Sequence, residues 1–333
     1  SGYEDLGALA DRVERWLAFG ADRLTRVELP RSRGARPVPA FAFGSPGDLP
    51  LVERPTVLLL GGLDGRSCAG GVAALRVAAS LLAQPETLPR ELAFVCVPWA
   101  SPDALQRAYE GRDDSGRNER RNDADGDGTL DEDGPDDLDG DGLILEMLLP
   151  DEKGEWTLVS PDPALHPRFP VLARPGETPR YRRVREGADD DGDGAFNEDG
   201  REGVVLDQNF PVDWRSQGRE GVSGPWPLSE PLSRAIANLA QERRVVLTLL
   251  FQGAHGGLAH PGGVSMTPWP EGADDATWEW AARRFAESAP TRAGSASPVP
   301  LHEAHGVQVH GAALDWFYAV AGCAAEKISA SPR

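Results

Sequence analysis

Residues 54–83 read RPTVLLLGGLDGRSCAGGVAALRVAASLLA, and this stretch decides the fold class. TVLLL is a short apolar run that ends in Gly-Gly, which is typical of a buried strand. The following run, at 69–83, has the length and spacing of a helix. LAFVCVP (92–98) and VVLTLLF (245–251) predict two further buried strands. Strands that alternate with helices indicate an α/β sandwich, whose ligands bind near the carboxyl ends of the strands.

The same periodicities predict the other elements. Ser229 precedes an apolar-periodic segment and is the expected N-cap of a helix, with Pro231 tolerated in the first turn. We also expect a helix at 4–18 and a pair of strands at 24–30 and 38–44. Three more helices are expected at 229–243, 275–289 and 314–322.

Negative charge is concentrated in two segments of the chain. The 333 residues carry a formal charge of −19, from 34 Lys and Arg against 53 Asp and Glu. Residues 122–146 and 186–202 hold most of the imbalance, and the remainder has 34 acidic against 33 basic residues. An acidic surface makes nucleic acid an unlikely partner. No apolar run is long enough to predict a membrane span, and three cysteines are too few for a disulfide framework.

A motif with Asp at positions 1, 3 and 5 and Gly at position 6 occurs three times, beginning at Asp123, Asp137 and Asp189. This is the first half of an EF-hand-type calcium loop, in which alternate side chains converge on one side of a tightly curled backbone. The carbonyl candidates at position 7 are Thr129, Leu143 and Ala195. The side-chain candidates are Asp123, Asp125, Asp127, Asp131, Glu132, Asp133, Asp137, Asp139, Asp141, Glu146, Asp189, Asp191, Asp193, Asn197, Glu198 and Asp199.

These loops are not helix–loop–helix EF-hands, because position 12 is Gly134, Leu148 or Gly200 instead of the usual bidentate Glu. All three repeats carry Glu at position 10. We expect these Glu, or the neighbouring Asp131, Asp133, Asn197 and Asp199, to close the coordination shells. Many flexible carboxylates suit Ca²⁺ better than Mg²⁺. We therefore expect about three Ca²⁺ ions. A solvated acidic linker is the alternative.

Six stretches, taken in order, resemble the motifs of the zinc metallocarboxypeptidases (carboxypeptidase A-like), and in particular a bacterial branch with Asp-rich inserts. The resemblance implies a single carboxypeptidase-like domain over 1–333, a three-layer α/β/α sandwich with a mixed, mostly parallel sheet, into which the acidic segments are inserted. The stretches are GGLDGRSCAG (61–70), VPWASPDAL (97–105), SGRNERRN (115–122), VVLDQNFPVDW (204–214), GPWPLSEP (224–231) and GAALDWFY (311–318).

The family's zinc ligands are replaced at every matching position. The resemblance implies His and Glu where this sequence has Asp64 and Ser67, and a second His where it has Gln252. Ser and a neutral amide are poor zinc ligands, so we expect Zn²⁺ to be absent. The family's carboxylate-binding Asn–Arg pair aligns with Asp207 and Gln208, which removes charge-assisted capture of a C-terminal carboxylate.

Two other catalytic positions follow from the resemblance. Arg117 matches the Arg that polarises the scissile carbonyl. The general-base Glu falls near Ser329 or Ala330, on a strand expected after the helix at 314–322. Glu326 is three or four positions away from that place, and the sequence leaves open whether the strand forms.

The favoured hypothesis is a catalytically inactive, calcium-stabilised protein whose former catalytic groove, lined by Asp64, Ser67, Asp207, Gln208 and Gln252, binds a peptide, a protein or another ligand. Such an acidic groove would favour a basic or neutral ligand over a free carboxylate. Calcium loops and the family resemblance suggest an exported protein, because such loops typically need the high calcium outside the cytoplasm.

Two alternatives remain. One is an active metallopeptidase or amidase with a rewired metal site formed by Asp64, His255 and a C-terminal His such as His302 or His305. The other is a structural, calcium-ordered module of a surface protein.

Overall fold

The structure is a computed structural model of the 333-residue chain. It describes residues 6–20, 23–110, 115–121, 128–131, 134–141, 143–159, 169–190, 192–194, 196–197, 203–216, 222–253, 257–260, 276, 280, 283–284, 299–300 and 309–330.

The chain divides into two compact units, the first formed by Ser1–Arg120 with Gly203–Arg333 and the second by Arg121–Glu202. The first unit contains a mixed sheet in which parallel pairs outnumber antiparallel ones, as expected from the resemblance. Its eight strands, in hydrogen-bonding order, are β1 (Leu24–Arg26), β2 (Phe41–Phe43), β4 (Ala93–Val97), β3 (Thr56–Gly61), β9 (Val245–Gly253), β12 (Ala324–Ala330), β10 (Gly257–His260) and β11 (Val299–Pro300).

Helices cover both faces of this sheet, because successive side chains of a strand point to opposite faces. Val57 and Leu59 of β3 pack in one apolar cluster with residues of α1 (Leu6–Phe19) and α2 (Ala69–Ala83). Leu58 and Leu60 pack in another cluster with residues of α4 (Pro231–Glu242) and α5 (Ala313–Ala319). This arrangement confirms the α/β sandwich. The remaining helix of this unit among the described residues is α3 (Pro102–Glu110).

Most of the predicted elements of this unit form within a few residues of their expected bounds, and α2 forms at the predicted residues. One detail was wrong: the N-cap of α4 is Glu230, because the hydroxyl of Ser229 is engaged by Asn209 Nδ2 at 3.0 Å. Most of the helix predicted at 275–289 lies outside the described residues. Among the described helices, none is long and apolar enough to cross a membrane.

The strand that the resemblance implies after the last helix is present as β12, and it runs parallel to β9. The register pairs Lys327 with Leu250 and Ser329 with Gln252. The C-terminal ends of β3, β9 and β12 therefore lie at one edge of the sheet, where α/β folds bind ligands.

The second unit contains a four-stranded antiparallel sheet between the two acidic segments. An isolated bridge joins Pro135 to Gly187, so the two acidic segments meet although they are distant in sequence. In hydrogen-bonding order the strands are β5 (Glu146–Pro150), β8 (Tyr181–Arg185), β6 (Trp156–Val159) and β7 (Phe169–Leu172).

A buried carboxylate at the start of α4 joins several loops of the first unit. Glu230 accepts hydrogen bonds from Arg33 Nε at 3.0 Å, Asn118 Nδ2 at 2.8 Å and Arg120 Nη1 at 3.0 Å. Burial acts to raise the pKa of Glu230, but these hydrogen bonds outweigh it and hold the pKa below its usual value. Its backbone N–H donates to Asn209 Oδ1, which fixes the turn beside the candidate site.

We expect Glu230→Gln to lower the free energy of unfolding by about 2 to 3 kcal/mol, because two guanidinium groups lose a charged partner in a buried place. Denaturant unfolding at pH 7.5 measures this change. Glu242→Gln, at the exposed C-terminal end of the same helix, is the matched control and should leave stability within about 0.5 kcal/mol of wild type. Equal stabilities of the two variants would contradict the assigned role.

Candidate functional site

Four chain segments of the first unit meet at the carboxyl edge of the sheet. Asp64 lies in the loop after β3, and Gln252 lies near the end of β9. Asp207 lies in a single 3-10 turn, Leu206–Gln208, whose Leu206 is anchored in the core. The fourth segment is β12, which contributes Lys327.

Asp207 connects three of these segments through one oxygen atom. Its Oδ2 accepts a hydrogen bond of 2.8 Å from Gln252 Nε2 and lies 3.5 Å from Lys327 Nζ. The side chain of Gln252 thus orients its amide nitrogen, and not its oxygen, towards a carboxylate. All four side chains are buried, with exposed fractions of 9% for Asp64, 7% for Asp207, 1% for Gln252 and 5% for Lys327. The charges of Asp64, Asp207 and Lys327 therefore interact with little screening by solvent.

Asp64 is a buried carboxylate whose Oδ1 has no hydrogen-bond partner. Its burial raises its pKa to about 6; Lys327 opposes this shift, the nearby negative charge of Asp207 reinforces it, and a backbone hydrogen bond from Arg66 opposes it. Asp64 and Lys327 are therefore electrostatically coupled.

Ser67 lies against the end of β9. It stands at the position where the family has the Glu of its zinc-binding motif. Its Oγ accepts a hydrogen bond of 3.2 Å from the Ala69 amide at the start of α2. A Cβ atom at Gly253 would collide with the Ser67 side chain, so only glycine fits there without a shift. The structure therefore brings Ser67 and the Gln252–Gly253 backbone together.

Arg117 and Gln208 border the same region. Arg117 forms an isolated β-bridge with Val205, and its carbonyl accepts a hydrogen bond from the Arg107 guanidinium. The preceding Gly116 lies directly against the Asp64 carbonyl. The side chains of Arg117 and Gln208 are half-buried. The positions that the sequence assigned to the groove are thus adjacent in the fold.

These residues do not fit a zinc ion. They offer two carboxylates, a neutral amide and a hydroxyl, whereas catalytic zinc sites take three His, Cys or carboxylate ligands. An ammonium group has three donor hydrogens and no lone pair, so Lys327 cannot bind a metal and repels one electrostatically. His255, His302 and His305, which the rewired-site alternative needs, lie outside the residues whose side chains are described.

Sequence reasoning missed Lys327. The available signal was a single Lys in the stretch AAEKISA, two residues before the expected position of the general base at Ser329. Lys327 offsets one of the two buried carboxylates, which makes the groove less acidic than Asp64 and Asp207 alone imply.

The second acidic repeat, in the other unit, brings three carboxylates together. Asp137, Asp139 and Asp141 each place an oxygen within 4.8 Å of the others, and they form the only such group of three or more His, Cys, Asp or Glu side chains in the described part of the chain. Asp137 Oδ1 also accepts hydrogen bonds from the amides of Gly140 and Asp141. This loop has the convergence of side chains that the repeat predicts.

The first and third repeats share a backbone conformation where both are described. Gly128 and Gly194, at position 6, have φ of 97° and 90°, and Asp131 and Asn197, at position 9, have φ of 61° and 64°. Such left-handed positions favour Gly, Asn and Asp. The candidate ligands outside the described residues are Asp123, Asp125, Asp127, Glu132, Asp133, Asp191, Ala195, Glu198 and Asp199.

Two predicted ligands have other partners in the structure. Glu146 begins β5 and pairs with the Arg183 guanidinium on the neighbouring strand, outside the group formed by the second repeat. Asp131 Oδ2 accepts a hydrogen bond of 2.8 Å from Arg121 Nε.

Glu186 shapes the second repeat without being one of its candidate ligands. Its buried carboxylate accepts hydrogen bonds from the backbone amides of Leu138, Asp139 and Leu145, at 2.8, 3.2 and 3.1 Å. The amides at both ends of the loop thus converge on one side chain. The sequence marked Glu186 only as one acid among many.

Comparison with known proteins confirms the resemblance drawn from the motifs. The model of the zinc carboxypeptidase family matches residues 173–331. No curated protein matches the sequence at a significant level.

Solved structures with the same fold extend over nearly the whole chain. Bovine thrombin-activatable fibrinolysis inhibitor, in complex with tick carboxypeptidase inhibitor, aligns with a TM-score of 0.59 and 11% identity over 98% of this chain and 86% of that one. Carboxypeptidase A from Helicoverpa armigera aligns with a TM-score of 0.61 and 12% identity, over 99% and 65%. Identities this low show a common fold and nothing further.

The raised pKa of Asp64 predicts a pH-dependent stability. The folded state binds this proton more tightly than the unfolded chain, so this group favours folding at low pH and its contribution is lost as pH rises from about 4 to above 6. A shift from the ordinary value to about 6 corresponds to about 3 kcal/mol.

We expect Asp64→Asn to remove this dependence. In denaturant unfolding at pH 4.5 to 8 with constant calcium, the difference in stability between the variant and wild type should move in favour of the variant by about 2 kcal/mol as pH rises. Asp11→Asn, on the exposed face of α1, is the control. Two parallel pH profiles for Asp64→Asn and wild type would rule out a raised pKa.

Proposed function

We propose that this chain, whose residues 173–331 match the zinc carboxypeptidase family, is a catalytically inactive protein of the carboxypeptidase fold that binds a peptide or another ligand in its former catalytic groove and is stabilised by calcium. One observation carries this proposal: among the positions that the family resemblance assigns to metal and substrate, the buried carboxylate of Asp207 accepts a hydrogen bond from Gln252 and forms an ion pair with Lys327.

Loss of hydrolysis follows from the chemistry that these residues lack. A zinc hydrolase uses the metal to lower the pKa of a water molecule and a base to take its proton. Asp64, Ser67 and Gln252 do not form a three-ligand site, and the ammonium group of Lys327 lies beside Asp207, the carboxylate that Gln252 contacts. The side chain at the expected base position, Ser329 or Ala330, has no proton-accepting group with a suitable pKa.

Ligand binding is supported by the fold and by the polar groups at the groove. Among structures with this fold, the bovine protein is in complex with a carboxypeptidase inhibitor. Here Asp207 occupies part of the former carboxylate-binding pair and would repel a free C-terminal carboxylate. Lys327 offsets one carboxylate, so the groove suits a neutral or weakly basic peptide segment.

Calcium binding is supported by the three carboxylates of the second repeat, since oxygen ligands on a curled loop suit Ca²⁺. Equivalent backbone conformations in the first and third repeats extend this argument to about three ions. Loops of this kind typically need the calcium concentration found outside cells, which supports an exported protein.

The first test of this function is an assay of peptide hydrolysis and peptide binding. We expect no release of C-terminal residues from a mixed peptide library, with or without added Zn²⁺. C-terminally amidated peptides should bind at least as tightly as the free acids. Gln208→Ala should weaken binding, whereas Gln241→Ala, an exposed position on α4, should not.

The possible outcomes separate the alternatives. Hydrolysis that disappears on chelation and returns with zinc would overturn the proposal in favour of a rewired metal site that includes His255. Binding of no peptide at all would leave the calcium-ordered structural module.

Calcium binding is tested by thermal unfolding. Each site that binds only the folded state adds about 2.7 kcal/mol at a calcium concentration of 100 Kd. We therefore expect EDTA to lower the melting temperature clearly. Asp139→Asn should remove part of the response, and Glu152→Gln, an exposed residue between β5 and β6, should not.

Glu186→Gln tests whether the loop is shaped before the ion arrives. The variant keeps every candidate ligand but loses a charged acceptor for three amides, so we expect a weaker calcium affinity by isothermal titration. Melting curves that are unchanged by EDTA in wild type would exclude the calcium proposal.

A further inference from the structure

We propose that the ammonium group of Lys327 is a built-in cation that takes over the charge-balancing role of a metal ion at the floor of the groove, so that Asp64, Asp207 and Gln252 form a closed site that excludes divalent cations. This inference goes beyond catalytic inactivity, because it assigns a physical role to a residue that the sequence motifs do not mark. It concerns the same groove as the proposed function but needs no ligand there.

The position of Lys327 is fixed by the sheet. β12 is hydrogen-bonded in parallel to β9 along its whole length, with Lys327 beside Leu250 and Ser329 beside Gln252. The interior positions Ala325 and Lys327 are both buried. A long flexible side chain is thus held by regular strand pairing next to the end of the strand that carries Gln252.

Lys327 contacts a buried carboxylate. Its Nζ lies 3.5 Å from Asp207 Oδ2, the oxygen that also accepts the Gln252 hydrogen bond. It also attracts the carboxylate of Asp64, whose buried Oδ1 has no hydrogen-bond partner. The ammonium therefore interacts with both acidic groups of the floor.

Charge balance explains why a cation is needed. A buried carboxylate is costly without a compensating charge, and two of them near each other repel. A bound metal ion often supplies the largest local charge in such a site. Here Lys327, a residue of the chain itself, supplies the compensating positive charge through its compact ammonium group. The ammonium group would repel a divalent cation at the same place, and the repulsion would be strong because the surroundings have low polarity.

The test uses the full chain in buffer with saturating Ca²⁺, so that the acidic loops stay occupied, and Zn²⁺ as the probe. We expect wild type to take up no zinc that depends on Asp64. Lys327→Met removes the charge and keeps the length of the side chain. It should melt about 4 to 7 °C below wild type, as expected when a buried ion pair loses one partner.

The same variant should gain zinc affinity. Without the ammonium, two carboxylates and an amide oxygen are left to a cation, so we expect Zn²⁺ to bind Lys327→Met at least tenfold more tightly than wild type and to restore part of the lost melting temperature. Lys327→Arg keeps the positive charge and is the matched control. It should gain no zinc affinity.

A double-mutant comparison isolates the ion pair. Adding Asp207→Asn to Lys327→Met removes the uncompensated charge, so the double variant should melt higher than Lys327→Met alone. A melting temperature of Lys327→Met equal to that of wild type, or additive losses in the double variant, would overturn the inference while leaving catalytic inactivity intact.

Zinc uptake by the wild-type protein tests the inference even if the Lys327→Met variant does not fold. Zinc uptake by wild type that disappears in Asp64→Asn would overturn the built-in cation. If peptide hydrolysis accompanied that uptake, the proposed function would fall with it, whereas uptake without hydrolysis would overturn only the role of Lys327.

Discussion

One carboxylate oxygen, Asp207 Oδ2, holds together the floor of the groove. It receives the Gln252 amide and lies beside the Lys327 ammonium, and through them it connects the 3-10 turn after Val205 to β9 and β12. Each partner depends on the others, because a buried ammonium needs an anion and a buried carboxylate needs donors. The loop after β3 joins this arrangement through Asp64. The site is therefore an electrostatic unit assembled from residues far apart in sequence.

The first and second units compensate the negative charge of their carboxylates in different ways. In the groove, the carboxylates are buried and the chain itself supplies the counter-charge. In the second repeat, Asp139 and Asp141 are exposed to solvent, and backbone amides converge on the buried carboxylate of Glu186. Hydrogen bonds there set the course of the loop, and the proposed calcium ion supplies the charge. Preorganisation by Glu186 would reduce the ordering cost of binding that ion.

Local patterns in the sequence predicted the elements well where the pattern and the packing agree. The limits of α2 follow from its apolar run, and β3 follows from TVLLL, because each needs only its own residues and one apolar surface. The start of α4 differed because Ser229 has a competing partner, Asn209, twenty residues earlier. Motif resemblance located the groove positions, and the fold brings them together.

Lys327 could not be predicted by the same route. In a strand of AAEKISA, a lysine is expected to be a solvated side chain, and its partner Asp207 is 120 residues away. Glu186 was missed for a related reason, since a dense acidic segment does not distinguish a carboxylate that binds ions from one that accepts backbone hydrogen bonds. Both roles depend on which long-range neighbour reaches the side chain, and that is decided by tertiary packing.

The tight contact between Ser67 and Gly253 has a consequence for the history of such a site. A larger side chain at 67 would press on the end of β9, and a new ligand at 64 or 252 would meet Lys327. Removing Lys327 first would leave two carboxylates without a counter-charge. Loss of Lys327 alone therefore passes through a less stable protein. Recovery of a metal site consequently requires coordinated changes at several positions, because Lys327 and the carboxylates that it balances have to change together.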